Sequence, residues 1–134
     1  MSIPDFLSKQ DSERQHILKG IHSVIIEHDK TVIATVGKMM GKEMILYKAK
    51  GFFKYGLSGV KNYMSLHAMP IYASPKLHAR YEALLNKAKF QKGCINFKSA
   101  EEMPPEIVTQ LIADCSKIDL LAIMNEYKAN KKKK

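Results

Sequence analysis

The chain contains only two cysteines, Cys94 and Cys115, and no CxxC pair. That excludes a disulfide-stapled scaffold and the paired spacing of a zinc ribbon. Both thiols sit among apolar neighbours and read as free, buried side chains. No apolar run approaches the ~20 residues that a bilayer-spanning helix needs. The opening "MSIPDFLSKQDSERQ" is too polar for the apolar stretch of a secretory signal. These absences predict a cytoplasmic protein with no membrane partner. Also absent are HExxH, GxSxG, GxxxxGK[ST] and GxGxxG, so no named metal, hydrolase or nucleotide motif is present. "GLSG" and "GKMMGK" read as turns. There is no internal repeat. At 134 residues the expectation is one domain over 1–130, large enough for a sizeable core, followed by a disordered basic tail over 131–134.

Acidic residues are scarce in the middle of the chain. Residues 38–98 hold twelve basic and two acidic side chains, a net +10. The segments on either side are close to neutral, so the middle carries the whole excess of +9. A concentrated positive field attracts phosphate groups, nucleic acid or an acidic protein. Surface lysines that only maintain solubility would look similar.

Asp11 or Ser12 caps a first helix whose apolar residues, Ile17, Leu18, Ile21, Val24 and Ile25, form one stripe. Over residues 31–40, Val32, Ile33, Val36, Met39 and Met40 repeat that spacing and suggest a second short helix closed by Gly41. The β-branched "TVIATV" in the same place suggests a strand. From residue 43 the period changes. "EMILYK", "GFFKYGL" and "KNYMSLHAM" read as strands joined by short, hairpin-like connections. Ser74 and Pro75 open a helix with Leu77, Tyr81, Leu84, Leu85 and Ala88 inward. "GCINFK" is a short strand, and Pro104-Pro105 begin a helix. Ser116 with Asp119 resembles a capping box for a last one. The sum is an α+β fold: a small antiparallel sheet of about four to five strands packed against N- and C-terminal helices.

Five histidines offer themselves as ligands. His16, His22 and His28 lie six apart on the first helix, so successive rings turn ~240° and cannot meet at one metal. Glu101, Glu102 and Glu106 sit at a helix start, where acids complement the dipole. No metal ligand set is expected. His67 stands apart because of its company. In "GVKNYMSLHAMPIY", Met64, Leu66 and Ala68 alternate with Lys61, Tyr63, Ser65 and His67. On a strand the second set shares one face at ~6–7 Å intervals. Lys61, with Lys54 from the neighbouring strand, would supply charge; Tyr63, Ser65 and His67 would orient hydrogen bonds to an anion or polar ligand. The wet face of an antiparallel sheet has the same pattern. A hydrolase with His67 as base is the weaker alternative, because Ser65 and His67 lack an elbow and an orienting acid.

The run "GKEMILYKAKGFFKYGLSGVKNYMSLHAMPIY", followed by "KFQKGCINFK" and "MPPEIVTQLI", resembles the YdhG-like family of domains of unknown function over roughly residues 10–118. The resemblance implies a compact α+β domain with a curved antiparallel sheet, comparable with frataxin. It also implies an alternative activity, because part of that family is treated as a frataxin-like intracellular iron chaperone. Frataxin-like iron binding leans on an acidic helix and sheet edge. Here Lys9, Arg14, Lys19 and Lys30 offset Asp11, Glu13, Glu27 and Asp29, and the strand region is basic. No iron ligand carries over by position. The sequence therefore predicts a non-enzymatic binding domain without a cofactor. Its basic sheet would engage a small anionic ligand or acidic macromolecule, with nucleic acid bound nonspecifically; iron delivery is the alternative.

Overall fold

The computed structural model describes residues 2–39 and 41–132. Helix α1 (Ile3–Ser8) is followed by α2 (Ser12–His28), where the Asp11 carboxylate caps the helix by accepting from the Arg14 N–H at 2.9 Å. Four strands come next: β1 (Ile33–Met39), β2 (Lys42–Ala49), β3 (Phe52–Gly59) and β4 (Met64–Ala68). The short α3 (Met69–Ala73) and α4 (Pro75–Leu84) lead to β5 (Lys89–Gln91) and β6 (Cys94–Phe97). A 3-10 turn (Ala100–Glu102), α5 (Pro105–Ser116) and α6 (Leu120–Lys132) close the chain.

All six strands join one antiparallel sheet in the order β1-β2-β3-β4-β6-β5. This is the expected α+β class with six strands rather than four or five. The short β5 pairs only with β6, which brings the strand count above the expectation. Residues 33–39 are a strand, not the short helix. The side chains of Val36, Ile45, Leu57, Leu66, Ile95 and Phe90 form one row across all six strands and face the helices. Against that row pack Leu18, Ile21 and Ile25 of α2 and Val108, Leu111 and Ile112 of α5, all buried. Each such side chain contributes roughly 1.5–3 kcal/mol on transfer from water. Tyr81 of α4 donates to the Asp114 carboxylate of α5 and ties the third helix to the layer.

The turn between β2 and β3 holds Lys50 and Gly51, both with positive φ (52° and 82°). That pattern matches the right-handed twist of a tight hairpin and suits glycine at the second position. The last helix starts one turn later than a Ser116 cap would place it. Asp119 itself caps α6, accepting from the Ala122 N–H at 3.2 Å, while Ser116 Oγ donates back to the Ala113 carbonyl. Helix α6 carries through positions 131 and 132, the first half of the expected disordered tail. Lys133 and Lys134 lie outside the described residues.

Candidate functional site

The helices cover one face of the sheet and leave the other without a covering layer, although Met44, Leu46, Ser58 and Ser65 at its centre are buried. Strand register fixes which side chains it presents. Thr35, Leu46, Gly56, His67, Cys94 and Gln91 form one row across it; Ser58, Ser65, Asn96 and Lys89 form the next. A flat six-stranded sheet would be ~24 Å wide. Yet a single concavity of about 280 Å³ is lined from Met39 on β1 to Gln91 on β5, with side chains from every strand between. The sheet therefore curls around this open side. Gly56 makes room for side chains over this face: a Cβ there would lie 2.8 Å from the Phe53 ring and 3.0 Å from Met44 Sδ, which close over it.

Tyr63, Ser65 and His67 all line the concavity, while Met64, Leu66 and Ala68 enter the core. The alternation read in "YMSLHA" is thus the division between groove and interior. Ser65 Oγ donates to Asn96 Oδ1 at 2.9 Å across β4 and β6. His67 faces Cys94 directly, with Cys94 Sγ 2.9 Å from His67 Nδ1. Burial holds the His67 pKa below the ordinary imidazole value, and the nearby Lys42 charge lowers it further. Burial raises the Cys94 pKa, opposed by the same Lys42. The pair therefore rests as a neutral thiol beside a neutral imidazole, the ring tautomer setting which of the two donates.

Neither expected lysine joins this site. Lys61 lies in the loop before β4, exposed, in a segment held by Arg14: its Nη1 donates to the Val60 carbonyl at 2.6 Å and its Nη2 to the Lys61 carbonyl at 3.3 Å. Lys54 is on the opposite side of the sheet. Register shifts between Tyr47 and Lys48, which pair with Tyr55 and Phe53, so Lys54 is an extra residue on β3. Its side chain is 2% exposed and meets Asp29 at 2.8 Å in the helix layer. The cation in the groove is instead Lys42, at the start of β2. Lys48 and Lys89 share the open face by register, and no strand position on that face carries Asp or Glu.

A second, larger basin of about 700 Å³ adjoins the groove and shares Tyr63, Gln91 and Asn96 with it. It adds Lys87, Lys89 and Lys98, opposed by Glu101 and Glu102. Among the described residues no three His, Cys, Asp or Glu side chains come together as a metal-binding group. No described helix is long and apolar enough to cross a membrane. Lys42, Cys94 and Asn96 were missed by sequence reasoning. Cys94 and Asn96 reach the site through the pairing of β4 with β6, which skips β5 and leaves no local sequence signal.

These features define an open-faced α+β domain, helical on one side of its sheet and bearing a polar, cationic groove on the other. Compared with protein-family models, with curated proteins and with solved structures, the chain matches none.

Proposed function

We propose that this chain is a non-enzymatic cytosolic binding domain of the YdhG-like kind whose curled sheet face engages a small anionic ligand. The observation that carries the reading is the charge of the open face: Lys42, Lys48 and Lys89 by register, with no strand carboxylate among them. Cations without counter-charges favour an incoming anion. Tyr63, Ser65, Asn96 and the ring of His67 supply donors and acceptors that fix orientation. The concavity, about 280 Å³, suits a phosphate-sized group with a modest substituent. Contact with nucleic acid would run through the same lysines and be nonspecific.

Calorimetric titration with inorganic phosphate, pyrophosphate and a short single-stranded RNA, at low and high salt, tests this. The expected result is binding that weakens as salt rises and is lost in Lys42→Glu. Binding unaffected by Lys42→Glu, or none to any of these anions, would contradict it. The iron-chaperone alternative is tested by anaerobic Fe²⁺ titration: tight uptake indifferent to Lys42→Glu would favour iron over the anion.

A further inference from the structure

We propose that Cys94 is a thiol–disulfide exchange site for a small anionic disulfide, with His67 as its proton acceptor. The inference rests on the anionic reading of the groove for its substrate class and on the Cys94–His67 pair for its chemistry.

Two independent features meet there. The first is geometric: Cys94 and His67 are direct cross-strand partners, and Sγ lies 2.9 Å from Nδ1, within the reach a nucleophile and its base need. The second is the setting. Cys94 is half-buried and opens on the concavity, whereas Cys115 is fully buried among the helices on the far side of the sheet. Lys42 lines the same concavity and acts electrostatically on both members of the pair. It draws anions inward and favours a thiolate as one forms, while opposing the protonated ring, a cost that the incoming dianion offsets.

The step balances without an outside oxidant. Cys94 passes its proton to His67 Nδ1, and the thiolate attacks one sulfur of the incoming disulfide. A new S–S bond to Cys94 forms as the old one breaks. The departing thiolate takes the proton back from His67 and leaves as a thiol. Exchange conserves the number of disulfides and deposits an anionic group at the groove floor, where it would block the site to other anions.

The test uses the full chain and two disulfides of opposite charge, dithiodipropionate (a dianion) and cystamine (a dication). Each rate, followed by intact mass, is normalised to that disulfide's rate with 2-mercaptoethanol. The normalised rate for the dianion is expected to exceed that for the dication by about tenfold at low salt. The ratio should collapse at high salt and in Lys42→Met, a change at an exposed position. Cys94→Ser should take up neither, with Cys115 unmodified as an internal check that the fold is intact. His67→Gln keeps a polar group but cannot take the proton, and should slow exchange by about tenfold or more. Equal normalised rates for both disulfides would overturn the proposal together with the anionic reading. A preserved dianion preference with no effect of His67→Gln would overturn the exchange mechanism alone. So would failure of either disulfide to modify Cys94 while phosphate binding persists.

Discussion

Lys54 and Asp29 meet at 2.8 Å beneath the sheet, each almost wholly removed from solvent. Thr31 and Tyr55 complete the cluster: Lys54 donates to Thr31 Oγ1 at 3.2 Å, Tyr55 OH donates at 2.7 Å to the Asp29 oxygen that Lys54 meets, and the Thr31 N–H donates to the other at 3.0 Å. Burial works against the Asp29 carboxylate, but hydrogen bonds from Lys54, Thr31 and Tyr55 outweigh it and lower its pKa. The cluster joins the end of α2 to β3.

Removing one partner leaves an uncompensated buried charge. Lys54→Met is therefore expected to destabilise the fold by about 3–5 kcal/mol. Urea denaturation measures this, and phosphate affinity of the folded fraction should not change, since Lys54 lies outside the groove. Asp29 also fixes the sign of an acid dependence. Its folded pKa lies below the unfolded value of 3.8, so its contribution is present above that value and lost as pH falls further. Asp29→Asn should flatten the acid limb of the stability profile.

His67 gives a second, separate pH dependence. Its folded pKa lies below 6.5, so between those values the unfolded chain holds the proton more readily. Stability is then highest above 6.5, falls as pH drops through the window, and levels off beneath the folded pKa. NMR titration of the ring should place its midpoint below 6.5. Lys42→Met should move the midpoint upward, because it removes one cause of the shift.

Crowding at Gly56 predicts a coupled pair. Gly56→Ala drives a methyl into the Phe53 ring and Met44 Sδ and should cost about 1–3 kcal/mol. In a Phe53→Ala background the same change should cost much less. A double-mutant cycle by thermal or urea unfolding measures the coupling.

Arg14 holds the loop that carries Tyr63 into the groove through two carbonyl contacts. Arg14→Ala should destabilise the protein by about 1–3 kcal/mol and speed amide exchange at residues 61–63. Phosphate binding should weaken as Tyr63 loses its support.

Much of the scaffold was legible because its signals are local. Asp11, Ser74 and Pro105 announce three helices through cap chemistry that needs no tertiary partner. Residues 31–40 were ambiguous for a physical reason. Val32 and Val36 are four apart, a spacing that shares a face on a helix and, being even, on a strand as well. The choice fell to pairing with β2, a nonlocal contact. Of the site, Tyr63, just before β4, and Ser65 and His67 on it were readable from the alternation that runs into that strand. Lys54 was misplaced because it is itself the extra residue of a bulge in β3 that turns it inward, and no residue type marks that bulge. Cys94 and Lys42 could not be foreseen, since each reaches His67 from a strand distant in sequence.

The central claim is that the curled face of the sheet receives an anion. Amide shift mapping of the full chain during titration with inorganic pyrophosphate tests it most directly. Saturable, salt-sensitive shifts confined to positions around Lys42, Ser58, Ser65, His67 and Asn96, and absent in Lys42→Glu, are the predicted result. Shifts scattered over the helices, or unchanged by Lys42→Glu, would contradict it.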